Sequence, residues 1–208
     1  MKRFLTIAAL AFSVLTASAQ REPKLTIKAG AGLTSVVGAD ANTKVKVAAK
    51  IGAAYDVKLY KGLYVIPELD FALKGFNPDG VNFITLDKVV HMTYLQAPVM
   101  VAYKFRVKNN GNIVVKAGPY FACGLFGSKA EVSGWGYNKK VDVFDKDYGF
   151  RRFDVGIGTG LAYERDHFTI GIEYSRGLHR LTPEFRLYNQ SFRITLGYQP
   201  QSGKYIPT

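Results

Sequence analysis

Eight stretches of this 208-residue chain alternate apolar and polar residues with a period of two, at roughly 24–36, 44–59, 62–76, 89–106, 111–127, 149–165, 167–179 and 189–199. Successive side chains of a β-strand point to opposite faces, so each stretch reads as a strand with one greasy face. That face carries Leu25, Ile27, Ala29, Ala31 and Leu33 in the first stretch and Phe192, Ile194, Leu196 and Tyr198 in the last. No charge interrupts it through the middle of any stretch. Each stretch is at least as long as the ~9–11 residues a tilted strand needs to cross a bilayer. Helical periodicity is nearly absent, so the pattern predicts an all-β fold.

The opposite face is polar. In YVIPELDFALKG, residues 64–75, Glu68, Asp70 and Lys74 alternate with Pro67, Leu69, Phe71 and Leu73. Along the chain the same face gathers the bases Lys28, Lys50, Lys116 and Arg193 and the acids Glu68, Asp70, Asp154 and Glu173. It is also crowded with glycine, among them Gly30, Gly32, Gly52, Gly118, Gly156, Gly158 and Gly160. Pro67 cannot donate to a ladder, which predicts a bulge there.

Alternation alone does not say which face is inside, because a soluble ligand-binding barrel alternates too. Three features turn the greasy face outward. Glycine suits the interior of a narrow eight-stranded barrel, where side chains nearly fill the space. Mid-strand charges of both signs suit a paired interior network, since an unpaired buried charge is costly. Finally, outward aromatics gather at two levels: Tyr103, Phe105, Tyr163, Phe168 and Tyr198 near one rim, Phe153 and Phe192 near the other. Aromatic girdles mark membrane interfaces.

The connections sort in the same way. Tyr60-Lys61-Gly62, Lys108-Asn109-Asn110-Gly111 and Arg165-Asp166-His167 are tight turns, whereas 37–43, 77–88, 128–148 and 180–188 are long. Short turns on one rim and long loops on the other are the layout of a bacterial outer-membrane barrel. The expected fold is therefore an eight-stranded antiparallel up-and-down transmembrane β-barrel over residues 20–199, with 200–208 as a C-terminal tail. Before it, MKRFLTIAALAFSVLTASA has the basic, apolar and small-residue parts of a cleaved secretory signal, residues 1–19. The location this predicts is the cell outer membrane.

Composition limits function more than it names one. A single cysteine, Cys123, leaves no internal disulfide framework. The formal charge of +12 falls to about +10 once Lys2 and Arg3 leave. No nucleic-acid motif accompanies that charge, so attraction to anionic lipid head groups, lipopolysaccharide or sugars is the expected use. His91, His167 and His179 lack metal-ligand spacing, and Ser128 or Ser133 paired with Asp142 or Asp145 has no histidine nearby in sequence. The expectation is a chain without catalytic residues, cofactor or metal.

Two candidate working surfaces remain. One is a lumen charge network of Lys28, Lys50, Glu68, Asp70, Lys116, Asp154, Glu173 and Arg193. It is expected to hold the barrel closed or, alternatively, to line a narrow channel for ions or small solutes. The other is the loop SKAEVSGWGYNKKVDVFDKDY at 128–148, where Trp135, Tyr137 and Phe144 interleave with Lys139 and Lys140. Exposed aromatics among charges suit an extracellular protein or glycan ligand. The other reading is a hairpin whose aromatics pack on each other beyond the membrane. A monomer is expected in either case.

Several segments resemble the PorT-like outer-membrane β-barrel domain family: KAGAGL at 28–33, PELDFALKG at 67–75, TYLQAPVMVAYKF at 93–105, KAGPYFACGL at 116–125, RRFDVGIGTGLAYE at 151–164, IEYSRGL at 172–178 and SFRITLGY at 191–198. The resemblance covers essentially the whole mature chain and implies an eight-stranded barrel similar in shape to the OmpA and OmpX barrels. It implies no catalytic motif. Barrels of this kind end on an aromatic residue of the last strand; here Tyr198 is followed by QPQSGKYIPT.

Overall fold

A computed structural model describes residues 24–38, 43–76, 90–107, 111–134, 137–144, 150–181 and 186–200, with backbone alone for 129–134 and 137–142. The expected signal at 1–19, Trp135, and all of the tail beyond Pro200 lie outside the described residues. Among the described residues ten strands follow in chain order: β1 Lys24–Gly38, β2 Lys46–Tyr60, β3 Leu63–Phe76, β4 Val90–Arg106, β5 Gly111–Gly127, β6 Lys129–Gly134, β7 Tyr137–Asp142, β8 Phe153–Arg165, β9 Phe168–Gly177 and β10 Leu187–Tyr198. Eight of them close into an antiparallel barrel in the order β1-β10-β9-β8-β5-β4-β3-β2. β6 and β7 form a separate hairpin, so the 128–148 connection carries strands of its own.

Every consecutive pair of barrel strands is a hairpin, and β1 meets β10 from Ile27↔Tyr198 to Gly38↔Leu187. Closure leaves no edge, so the backbone hydrogen bonds are satisfied within the sheet, as hydrocarbon surroundings require. The tight turns need backbone that few residues adopt. Gly62 has φ 76° and Asp166 φ 53°, both in the left-handed region. The expected bulge at Pro67 does not form: pairs on both sides of it keep one register, Pro67↔Val99 and Asp70↔Gln96 on β4. β2 likewise runs unshifted from Ala54↔Glu68 to Val57↔Val65. The irregularities lie instead at Lys58/Tyr60 and Thr93/Tyr94.

The greasy face points outward. Val47 is 72% exposed, Leu196 62% and Ile51 59%. The turn-rim aromatics stand on the same outer surface, with Tyr103 against Phe105 at 4.5 Å between ring centroids and Phe168 against Tyr198 at 5.4 Å. Lipid rather than a second sheet covers this surface.

A narrow barrel brings backbone close to backbone, and Gly32 sits where it matters most. A Cβ there would collide with the Phe192 carbonyl and lie 2.6 Å from Arg193 Cα, across the β1–β10 seam. Gly158 differs, because its Cβ would meet only the flexible Met100 Cε at 3.2 Å. Overpacking a tight site typically costs ~1–3 kcal/mol. Gly32→Ala is therefore expected to lower the temperature at which the folded barrel loses its compact gel mobility, and Gly158→Ala to leave it nearly unchanged. Equal shifts for the two would show that seam spacing does not limit closure.

Candidate functional site

The lumen is built in layers, and β3 touches each of them. From the turn rim to the loop rim its inward residues are Tyr64, Ile66, Glu68, Asp70, Ala72, Lys74 and Phe76. Each inward position lies at the level of different side chains from neighbouring strands, so one strand's alternation reads out the stack.

The middle layer is ionic. Lys28 Nζ lies 2.5 Å from Glu68 Oε2 and 3.0 Å from Glu173 Oε1. Lys116 Nζ reaches Glu68 Oε1 at 2.8 Å and Glu173 Oε1 at 2.7 Å. Lys50 joins Glu173 Oε2 at 2.5 Å and Asp70 Oδ2 at 3.0 Å. Three ammonium groups from β1, β2 and β5 thus share carboxylates from β3 and β9. All six side chains are nearly withdrawn from solvent, Glu173 being the most exposed at 11%. Cross-linking five strands through one cluster fixes how the barrel closes.

Above it, Lys74 Nζ lies 3.5 Å from Asp154 Oδ2 and beside two tyrosine rings, 5.2 Å from the centroid of Tyr94 and 4.7 Å from that of Tyr120. Tyr120 Oη donates to Asp154 Oδ2 at 3.2 Å, and Asn189 Nδ2 does so at 2.9 Å. The compensation of this buried ammonium is one long carboxylate contact and two π faces. Asp154 was expected within a single network; it belongs to this second layer. Below the middle layer, an apolar band of Ala54, Ile66, Met100, Ala102 and Val114 separates it from a third ionic group. There Lys104 Nζ bridges Asp56 Oδ2 and Glu164 Oε2, each at 2.5 Å, beneath the Tyr64 ring.

Arg193 departs from the expected pairing. It is 2% exposed, yet the contact its guanidinium makes is to Ser191 Oγ at 3.0 Å. Its Nε, Gln96 Oε1, Ser175 Oγ and Asp70 Oδ1 are buried without a partner among the described residues. Three lysines hold the other carboxylate oxygens of the middle layer, and the arginine stands in their field without direct contact. Counted together, the cations Lys28, Lys50, Lys74, Lys104, Lys116 and Arg193 match the carboxylates Asp56, Glu68, Asp70, Asp154, Glu164 and Glu173 one for one. Lys74, Lys104, Asp56 and Glu164 extend the network beyond the candidates chosen from the sequence. Their even numbers, in register with Glu68 or Lys116 on the inward face, were the signal that marks them.

The loop-side mouth is sealed by apolar side chains. Val143 and Phe144, just after β7, turn back into the barrel and join Val36, Phe76, Val90, Met92, Tyr94, Tyr120, Ala122 and Leu181. Phe144 was expected as an exposed loop aromatic; it is 3% exposed, edge-on to Tyr94 at 5.8 Å. Gly124 makes the socket, since a Cβ there would collide with Phe144 Cζ and lie 2.6 Å from Cε1 of the same ring. Backbone bonds hold the segment down, from Val143 N to Ser128 O at 3.2 Å and from Phe150 N to Val143 O at 2.6 Å. The pull is hydrophobic, because a phenylalanine beside an open apolar mouth gains more by entering it than by facing water. Tyr137, Lys139 and Lys140 lie on β7.

The histidines stay apart. His91 and His179 sit at the loop rim, beside Lys46 and Arg151 respectively, and His167 in a turn at the other end. Among the described residues no cluster of metal-ligating side chains forms.

Residues 12–182 match the family described as outer membrane protein beta-barrel domain. Solved structures of similar fold include Neisserial surface protein A (NspA), at 9% identity over 86% of this chain and 100% of that one, with a TM-score of 0.54. The attachment invasion locus protein Ail of Yersinia pestis, solved with the heparin analogue sucrose octasulfate, is 14% identical over 86% of this chain and 100% of that one, with a TM-score of 0.44. OprG of Pseudomonas aeruginosa is 9% identical over 86% and 96%, with a TM-score of 0.43. At such identities the likeness is one of fold. No curated protein matches the chain.

Removing one partner of a buried ion cluster strands the others and costs about 3–5 kcal/mol, more than the pairing itself contributes. Glu68→Gln leaves Lys28 and Lys116 with Glu173 alone and is expected to destabilise the barrel by that order in urea titrations in lipid vesicles. Adding Lys28→Met to Glu68→Gln should recover part of the loss. A double variant as unstable as the sum of its parts would show that the two residues do not share one cluster.

Proposed function

The chain belongs to the outer membrane protein β-barrel domain family, and on that premise we propose a closed, non-conducting barrel that works through its surface rather than its lumen. It resides in the outer membrane. In this reading it is exported by its N-terminal signal, acts as a monomer without enzymatic activity, and presents its long loops to the outside. The segments quoted above resemble those of the PorT-like barrels and support that finer reading within the family.

The observation that carries this reading is the stack of closures across the lumen. Three ionic groups, an apolar band between the lower two and an apolar cap occupy successive levels. Two spaces in the stack are small, about 50 Å³ between the middle layer and Lys104 and about 20 Å³ beside Arg193. Such volumes hold a few waters rather than a hydrated ion's path. A permeating ion would have to part Lys28, Lys50 and Lys116 from their carboxylates, which the low dielectric of the site opposes. Among the described residues the buried lumen charges balance and form no single-sign ring of the kind that selective pores use.

The hairpin β6–β7 stands on the mouth that Phe144 closes. Burying Phe144 and Val143 anchors one end of the 128–148 connection and gives the hairpin a fixed base. That arrangement suits a segment offered to a partner, because less ordering remains to be done at binding.

Planar-bilayer recording is the test. The wild-type barrel is expected to insert without steady conductance in concentrated potassium chloride. Phe144→Ala alone should remain silent, since the ionic layers stand below it. Steady, ion-selective steps from the wild-type protein would establish the narrow-channel reading instead.

A further inference from the structure

The loop-side ends of β8, β9 and β10 carry a group of arginines that neither the lumen nor the hairpin uses. Arg151, Arg176, Arg180 and Arg186 are all exposed. The backbone brings them together. Arg151 N donates to Leu181 O at 2.7 Å, which sets Arg151 beside Arg180, and Leu181 N donates to Leu187 O at 2.9 Å, which sets Arg180 beside Arg186. Arg176 pairs with Ile157 on β8 and Gln190 on β10, between the same two strands. Among the described residues of this sector the one carboxylate is Asp154, which points into the lumen and is 0% exposed. No described acid therefore neutralises the group.

Arg176 adds an independent observation. It continues the outward register of Phe168, Ile170, Ile172 and Tyr174 along β9, so its stem lies on the lipid face. A guanidinium at that position must snorkel to the interface and meet either water or an anionic head group. On the same outer surface stand Phe153 at 69% exposed, Leu178 at 59% and Phe192 at 47%. Along β9 and its continuation Tyr174, Arg176, Leu178 and Arg180 follow one another toward the loop rim, so apolar and guanidinium side chains alternate at this end of the barrel.

We propose that this sector is a binding site for the phosphate groups of acylated, phosphorylated saccharides of the outer leaflet, the lipid A part of lipopolysaccharide. The inference rests on the reading that the long loops face outward. A phosphate on a saccharide accepts two parallel N–H bonds from one guanidinium, which lysine cannot supply. Several exposed arginines at one rim accommodate more than one phosphate, and the acyl chains lie on the apolar surface around Phe153 and Phe192. Arg152 is left out of the site, because its guanidinium covers the Phe144 ring and donates to Gly124 O at 3.1 Å, whereas Arg151 has an exposed contact, with His179 Nε2 at 3.1 Å.

The test uses the full barrel in detergent micelles, with binding read by native mass spectrometry. Phosphorylated lipid A is expected to bind at least about tenfold more tightly than the same lipid after dephosphorylation, as charge-assisted bidentate contacts imply. The combined variant Arg151→Gln, Arg176→Gln, Arg180→Gln and Arg186→Gln should lose that preference while keeping the gel mobility of a folded barrel. Replacing Lys58 and Lys61 at the turn rim by Gln should not. Equal binding of the two lipids, or an equal loss from the turn-rim variant, overturns the site. Tighter binding of a heparin-type polysaccharide than of lipid A to the same arginines overturns the assigned occupant. Orientation is read separately, in a Cys123→Ala background, by labelling Ser128→Cys on intact cells. Absence of labelling overturns the outer-leaflet placement even where micelle binding holds, so the two failures are distinguishable.

Discussion

Hydrocarbon offers no hydrogen bonds, and that absence governs this molecule. Every strand must find a neighbour on both sides, so the sheet closes and β1 has to meet β10. Closing at eight strands leaves a lumen just wide enough for side chains to fill. The interior is then too narrow for a random set of residues. Gly32 stands where the seam leaves no room for a Cβ, and Gly124 where a phenylalanine ring must enter.

Within that confined space the charges act as ties between strands that are remote in sequence. Glu68 of β3 and Glu173 of β9 face each other across the lumen, joined by lysines from β1, β2 and β5. Coulombic attraction in a low-dielectric interior is strong, but desolvation offsets much of it, so the cluster specifies the arrangement more than it adds stability. The apolar band and the Phe144 cap surround the ionic layers and limit water around them. The outside of the barrel works by the opposite logic. Its exposed Val, Ile and Leu form the apolar surface that a bilayer solvates.

Much of this was legible along the chain. Period-two alternation in eight stretches, with an uncharged face, placed the strands within a few residues of where they stand. Parity alone assigned Glu68, Asp70, Lys28, Lys50 and Lys116 to the interior. The sorting of short turns from long connections gave the two rims. Parity could not say how far along the axis each inward residue would sit, because strand stagger sets that level. Hence Asp154 read as a member of one network when it belongs to a second layer with Lys74, and Arg193 read as a paired base. Pro67 read as a bulge, yet the ladder keeps its register past it.

The sequence by itself determined the strands, their inward and outward faces and the need for interior charges to be compensated, because a two-residue period is a local property of the backbone. Only the tertiary structure decided which charges meet. Glu68 and Lys28 are 40 residues apart, and Lys28 and Glu173 are 145 apart, brought together by closure and stagger. It also decided that Phe144 turns inward. From the chain a phenylalanine in a polar loop looks exposed, whereas beside a glycine-lined, apolar barrel mouth burial is its lower-energy place.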